Sequence, residues 1–546
     1  MVGNMKKWEI LNTYEKFDKD KIIEILLSNR GIKTKKEIDS FFNPELSDLT
    51  AQNLEINKED LKKAVKRINL AISKKERIIV FGDYDVDGIT GTAILWETLN
   101  SMKANVMPYI PNRIEEGYGL SKVGIENLKN IYPDTSLIIT VDNGIVASPA
   151  VEFANSLGID VIITDHHAPE KTNPKAFAIV HSTKICGSAV AWFLSRELGE
   201  KSLEHLGLVA LATVADMMKL TDYNRTLLIH GLKELKKNKR VGINALLEIA
   251  GVNKEQIGVY EIGHIIGPRI NAMGRLEDGM ESLRLICTKD KKRAQELANK
   301  LNFTNLERQK VTLDSVLHAK NSVEKDNLKK LLFIYHESYQ PGVIGLIAGK
   351  LVEEFYRPSI VLSVGEKYSK ASARSISGFN IIEFIRLSSH LLVDAGGHPM
   401  AAGFTVETQN LDKLKTFLEE LSEKKLTEDL FVKVLKIDTN LNLSDITQDL
   451  FEKIKTLEPF GYGNSEPTFV AKDIRISDLR PVGKTADHLK LKLTDNEGQS
   501  FNGIYFNFDK SLELRAGEIV ECVFSISENE WNGNKKLELK IKDIKK

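Results

Sequence analysis

Only three cysteines occur among 546 residues, Cys186, Cys287 and Cys522, and no two of them form a CxxC pair. That excludes a disulfide framework and a cysteine-based structural zinc, and it fits a reducing compartment. Neither sign of charge is in excess, since Lys+Arg and Asp+Glu each number 76. A polyanion must therefore be held by local basic patches and not by a global field. No segment approaches the ~20 consecutive apolar residues of a membrane span. Met1 to Phe17 also lacks the apolar core of a signal peptide. Internal repeats and low-complexity tracts are missing too. What remains is a soluble, cytoplasmic, multidomain protein with no membrane partner.

At roughly 100–200 residues per domain the length calls for several units. Residues 1–75 are charged with helical periodicity, in Ile22 to Leu27 and Asp60 to Ile72, and read as a helical lead-in. Over residues 76–288 short Val/Ile-rich runs alternate with helical stretches, the pattern of a buried parallel sheet. Residues 289–328 are charged and helix-compatible, with Leu297, Leu301, Leu306, Leu313 and Leu317 in a periodic series with one break. They read as a long connecting helix. A second α/β block (329–425) opens with Leu331 to Tyr335. In the last block, 437–546, Leu489 to Leu493 and Leu537 to Ile541 alternate strictly, with turns at Asp495 to Gly498 and Trp531 to Asn534. That block reads as a small all-β barrel or sandwich.

Three Val/Ile-rich runs end in polar clusters. Ile78 to Phe81 leads into Asp83-Tyr84-Asp85-Val86-Asp87-Gly88, Leu137 to Val141 into Asp142-Asn143-Gly144, and Asp160 to Thr164 into Asp165-His166-His167. Ligands of open α/β sheets bind beyond the carboxyl ends of the strands. Carboxylates with imidazoles suit divalent cations of hard to borderline character. An EF-hand reading of the first cluster fails, because loop position twelve is Ile94 and a strand leads in. Asp142 alone would be a turn residue; within the set it is the natural bridging carboxylate. Adjacent histidines point in different directions, so one ligates, with His166 favoured. His167 then orients a ligand or donates to a phosphate. Asp216, in an otherwise apolar segment, either ends a helix or joins the ligands. Such a set exceeds one tetrahedral zinc. Two octahedral ions fit better, manganese first and magnesium as the alternative. Two ions about 3.5–4 Å apart activate a water for in-line attack at phosphorus, so the reaction class is phosphoester hydrolysis.

Arg113 and Arg275 lie in turn-like or Gly-bounded stretches, and Arg374 stands between Ser372 and Ser375. Hydroxyls beside a guanidinium suit a phosphate, although each arginine singly reads as an ordinary ion pair. Gly396-Gly397-His398 offers close backbone approach and a donor side chain. His181, His230, His264, His318 and His336 carry no companion in the sequence and read as structural. Gly342 to Lys350 fails as a phosphate loop because the first glycine would fall at Ile344; it reads as a small-residue helix. Phe501, Tyr505, Phe506 and Trp531 are either base-stacking rings or core.

The order DYDVDG, VDNG, DHH and Asp216 is similar to the four motifs of the DHH phosphoesterase superfamily. PNRIEEGYG (111–119), GPRINAMGR (267–275) and DAGGH (394–398) narrow the resemblance to its RecJ-like, single-strand-specific 5′-to-3′ exonuclease branch. The likeness runs from about residue 50 to the end. It implies a DHH domain, a connecting helix, a DHH-associated lobe and a C-terminal OB-fold. It implies a two-metal site of Asp83, Asp85, Asp87, Asp142, His166, His167 and Asp216. It further implies substrate contacts from Arg275, Ser372, Arg374, Gly397 and His398, and less directly from Arg113, Tyr118, Asn271 and Arg269. Many superfamily members begin the first motif with a histidine where this chain has Asp83, which leaves the first-site ligands open. The implied substrate is single-stranded DNA with a 5′ end, cut to 5′-mononucleotides in repair and recombination. A single-strand-binding protein and a helicase are the implied partners. The rivals are a phosphodiesterase for short oligonucleotides or cyclic dinucleotides, and a non-catalytic replication scaffold; the filled ligand positions weigh against the second.

Overall fold

The computed structural model describes residues 6–546 apart from 15, 114, 238, 325, 326, 532 and 533, and of 531 and 534 the backbone alone. The stacking role read for Trp531, and the centre of the turn read at 531–534, therefore lie outside the described residues. Two compact units are present, one made of 1–44, 219–222 and 432–546, the other of 45–218 and 223–431. The first strand, β1 (Lys7–Ile10), belongs to the former.

The larger unit holds two sheets. One comprises β2 (Arg77–Phe81), β3 (Asn105–Tyr109), β4 (Thr135–Val141), β5 (Asp160–Asp165) and β6 (Ala178–His181), in the order β3-β2-β4-β5-β6. All its pairs are parallel. Ile78, Ile79, Val80 and Phe81 are wholly buried, as expected of a parallel strand covered on both faces. The chain leaves β2 first for β3 on one side and then for β4 on the other. The reversal puts a crevice at the carboxyl ends of β2 and β4, where the first two polar clusters fall.

The helix Lys291–Asn321 follows, capped by the Asp290 side chain. The leucine series does not form one buried stripe: Leu297 and Leu301 are buried, Leu306, Leu313 and Leu317 exposed. The five-residue step from Leu301 to Leu306 turns the series by about 140° at 100° per residue, off the packed face.

The second sheet comprises β7 (Leu332–His336), β8 (Ser359–Ser363), β9 (Tyr368–Arg374), β10 (Leu392–His398) and β11 (Ala401–Glu407), in the order β10-β11-β9-β8-β7. Only β7–β8 is parallel. The small-residue stretch becomes the helix Ile344–Phe355.

In the smaller unit β12 (Val434–Ile437) and β13 (Thr439–Asn440) precede a barrel of β14 (Phe469–Val482), β15 (His488–Thr494), β16 (Ser500–Tyr505), β17 (Ile519–Trp531) and β18 (Asn534–Lys545). Pairing runs β14-β15-β16-β18-β17, and β17 returns to β14 to close it. Closure removes the exposed edges that an open sheet would present. The N-terminal segment differs from a purely helical lead-in. Its β1 pairs in parallel with β12, and the helices Lys19–Asn29 and Lys35–Phe42 bury Ile22, Leu26, Leu27 and Phe41 in the same core as Leu450, Phe469 and Phe524. Only the third helix, Lys58–Ser73, lies in the larger unit. Of the rings weighed for stacking, Tyr505 is buried and donates its hydroxyl to Asp543 (3.2 Å), Phe501 packs on the core, and Phe506 is exposed beside His488. No helix among the described residues is long and apolar enough to cross a membrane.

Candidate active site

Asp83, Asp85 and Asp87 stand where β2 runs into the helix Val86–Ser101. Asp85 caps that helix by accepting from the Gly88 N–H (3.0 Å). Gly88 has no substitute here, because a Cβ would lie 2.6 Å from the Asp83 backbone. Asp87, at the start of that helix, accepts from the N–H groups of Gly187 (2.7 Å) and Ser188 (2.6 Å), which open the helix Gly187–Glu197. A carboxylate suits that helix end, where free N–H groups and the dipole favour negative charge. Asn271, expected at the substrate, accepts from the Val86 N–H at 2.8 Å and so pins the same turn.

Asp142 follows β4 with φ of 62°, a left-handed conformation uncommon outside glycine. Asn143 holds that corner: it accepts from Leu120 N (3.1 Å) and donates to Val141 O (2.8 Å). At the end of β5, Asp165 accepts from the N–H groups of His166 (2.7 Å), His167 (3.1 Å) and Ile145 (2.9 Å), and its Oδ1 lies 2.8 Å from His167 Nδ1. The two histidines consequently diverge. His166 Nε2 lies 3.1 Å from Asp142, 3.5 Å from Asp216 and 3.7 Å from Asp87. His167 Nε2 lies 3.2 Å from the Tyr118 hydroxyl. Asp216 ends the helix His205–Ala215.

Among the described residues three groups each bring their donor atoms within 4.8 Å of one another: Asp83 with Asp85 and Asp142; Asp87 with His166 and Asp216; and Asp142 with His166 and His167. Burial, then the neighbouring carboxylates, push the proton affinities of Asp83, Asp85 and Asp142 above the ordinary carboxylate range, and that of Asp216 up to about 8. Burial holds His166 low. Burial opposes protonation of His167 too, but the Asp165 hydrogen bond together with the charges of Asp165, Asp216 and Asp87 outweighs it and raises its pKa to about 9. Asp83 Oδ1, Asp142 Oδ1 and His166 Nε2 are buried with no hydrogen-bond partner. Converging oxygens and an unprotonated nitrogen, costly to bury unpaired, fit divalent cations.

Cationic groups gather beside the acids. Arg275, on the helix Gly267–Leu276, donates to Gly342 O (3.1 Å). Burial, then Arg113, Arg308 and Arg374, lower its pKa to about 10. Arg374 donates to Ser372 Oγ (3.2 Å) and Ala373 O (2.9 Å). A Cβ on Gly345 would come within 2.9 Å of both Arg374 Nη2 and Ser372 Oγ, so the small-residue helix is shaped around this guanidinium. Arg113 lies 5.0 Å over the Tyr84 ring. His398 stacks on His167 with centroids 6.1 Å apart. Gly397 reaches φ of 141°, and a Cβ there would meet Ala401 O at 2.5 Å. Arg269 is turned to Asn302 and Ile265 O.

Several residues beside the acid cluster and the arginines draw no role from the sequence. Asp165 orients both histidines, Arg308 adds a cation from the long helix, and His181, without a companion in the sequence, has Nε2 2.7 Å from His167 O. His318 and His336 are likewise neighbours, with rings 4.6 Å apart, and His264 stacks on Tyr260. The signal for Asp165 was its place at a strand end; the contacts of His181 with His167 and of His318 with His336 join consecutive elements and show only once those elements are packed.

Residues 77–213 match the N-terminal domain of the DHH family, 328–424 the DHHA1 domain and 437–543 the RecJ OB domain. The single-stranded-DNA-specific exonuclease RecJ of Bacillus subtilis (strain 168) is 34% identical over 569 residues, covering 100% of this chain and 71% of that protein. RecJ of Escherichia coli (strain K12) is 32% identical, covering 96% and 95%. The crystal structure of RecJ from Thermus thermophilus in complex with Mn2+ matches with a TM-score of 0.82 at 27% identity, covering 99% of this chain and 79% of that one. With identity at this level sustained across three domain types in the same order, the chain belongs to the RecJ family.

Proposed function

We propose that the chain is a divalent-metal-dependent exonuclease specific for single-stranded DNA, working from the 5′ end and releasing 5′-mononucleotides. The observation that carries this is the juxtaposition of three interlocking donor groups with a cluster of Arg113, Arg275 and Arg374. The names of the relatives, and the Mn2+ and Mg2+ bound by Thermus thermophilus RecJ, support it. Asp83, Asp85 and Asp142 would hold one cation, Asp87, His166 and Asp216 a second, with Asp142 between them. Bound, such ions lower the pKa of a water and stabilise the attacking and leaving oxygens of an in-line displacement at phosphorus.

The remaining work falls to the chain itself. Arg275, Arg374 and His398 take the 5′-phosphate, Ser372 steadies Arg374, and the Gly397 backbone admits the strand closely. That sets the first internucleotide phosphate over the acids, and the terminal 3′-oxygen leaves. His167, oriented by Asp165, presents Nε2 toward the substrate side with Tyr118. In this reading the division is a DHH domain (76–288), a connecting helix (289–328), a DHH-associated lobe (329–425) and an OB domain (437–546). It places the enzyme in the cytoplasm, in repair and recombination, beside a single-strand-binding protein and a helicase. The test is digestion of end-labelled single-stranded DNA with manganese, magnesium or chelator, products resolved by length. Mononucleotides from the 5′ end, lost with chelator, are expected; endonucleolytic ladders or release from the 3′ end would overturn the polarity.

A further inference from the structure

Immediately before the helix Gly267–Leu276 the backbone makes a π-helical turn, Glu261–Ile266. Turns of this kind are rare and concentrate at functional sites. Here Ile262 and Ile266 are buried, whereas Tyr260 is 63% exposed and its ring stacks on His264, centroids 4.7 Å apart and planes within 18°. Packing does not explain an aromatic pair left facing water. The turn is nonetheless fixed to the acid cluster's framework. A Cβ on Gly263 would lie 3.7 Å from Val214, and one on Gly267 3.7 Å from Ala215 and 3.9 Å from Val86. Those residues end the helix that leads to Asp216 and begin the one that Asp85 caps.

Two arginines stand at the end of the same turn. Arg269 Nη1 donates to Ile265 O within the turn (2.7 Å), and its Nε to Asn302 (3.0 Å). Arg308 donates Nη2 to Asn305 (2.9 Å), and its Nε is buried without an acceptor. Burial and then Arg269 depress the proton affinity of Arg308. Among the described residues neither guanidinium has a carboxylate partner. Two neighbouring cations without an acid are a site short of an anion.

We propose that the outer face of Tyr260, backed by His264, and the Arg269–Arg308 pair form a nucleotide subsite, the ring stacking on one base of the single strand and the guanidiniums holding a neighbouring phosphodiester, for a nucleotide that is bound but not cut. This rests on the exonuclease reading above and adds to it a base contact away from the 5′-phosphate pocket. Stacking on an aromatic face tolerates any base, as a processing enzyme requires.

The experiment is fluorescence anisotropy of the full chain with a labelled oligothymidylate in chelator, scanning a single abasic site along the strand, with the steady-state KM in manganese as a second readout. One position should exist where removing the base weakens binding roughly tenfold. Tyr260→Ala should weaken binding of the intact strand by the same factor, raise KM to match, and lose further sensitivity to that abasic site. Tyr260→Phe should behave like the unmodified chain. Arg308→Gln should flatten the salt dependence of binding by about 0.7 in log–log slope. Manganese binding, followed by thermal shift, should not move in any of them. Should Tyr260→Ala not fold, Tyr260→Leu with the same scan decides. Undiminished abasic sensitivity in the folded variant overturns the subsite while digestion by the unmodified chain leaves the nuclease standing. Absence of both binding and digestion in the unmodified chain removes the two together.

Discussion

On one wall of the site Asp83, Asp85, Asp142 and Asp216 crowd together around His167; on the other stand Arg113, Arg275 and Arg374, with burial and then the neighbouring guanidiniums lowering the proton affinity of Arg275 and Arg374. The acids are held largely by backbone: N–H groups of Gly88, Gly187 and Ser188 fix Asp85 and Asp87, and the left-handed residue at 142 is set by the sheet. The arginines are held by scattered contacts from the DHH region and the second lobe, such as Gly342 O and Ser372 Oγ. The difference separates two tasks. A metal site must be exact before anything binds, so most of it is built on strand ends; a phosphate pocket can be assembled from long side chains brought in by a turn, a helix and a strand.

The sharpest break of that contrast is Asp142→Ala. Activity on single-stranded DNA should fall by about a thousandfold or more as the shared ligand is lost, while the metal-free protein melts close to the unmodified one, relief of crowding among the acids offsetting the strain of alanine at the left-handed position. Melting curves with and without manganese, beside the rate, check both halves. Asp165→Asn comes next: it keeps the shape but no longer fixes His167 Nδ1, and a loss of roughly 10–100-fold in activity or manganese affinity is expected, read by titration against rate. On the opposite wall Arg374→Ala should cut the preference for 5′-phosphorylated over unphosphorylated ends by roughly tenfold, the worth of a charged hydrogen bond, leaving the manganese midpoint in place; equal losses on both substrates would mean that the residue only supports the fold. Smallest is a pair of alanines on one helix. Gly345→Ala should crowd Arg374 and blunt end preference a few-fold, whereas Gly349→Ala, with nothing within 4 Å, should raise stability by about 1 kcal/mol, measured by urea unfolding.

The acid wall was largely legible because each cluster closes a short Val/Ile run, and an apolar run of that length marks a strand buried on both faces. The arginine wall was less so. Arg374 had serines beside it to mark it, but Arg308 sits in a charged helix where nothing distinguishes it from Lys310 or Arg293; only folding turns it toward Arg269. Asp165 escapes a reading of the sequence for the reverse reason, standing next to the histidines that draw attention while acting through them. The fold of residues 1–44 failed to show because its partner strand β12 lies some four hundred residues downstream, beyond any local pattern.

That pairing has a bearing on the birth of the molecule. A chain emerges from the ribosome amino end first, at about 5–20 residues per second, so Ile22, Leu26 and Leu27 are made well before the barrel strands whose core they share. For tens of seconds these side chains lack the surface they are meant for, while residues 45–431 already have everything needed to close their own sheets. The smaller unit thus waits for residues 432–546 before its core can close, and a nascent chain halted before β12 would carry the larger unit with a sticky, unmatched arm at residues 22–41.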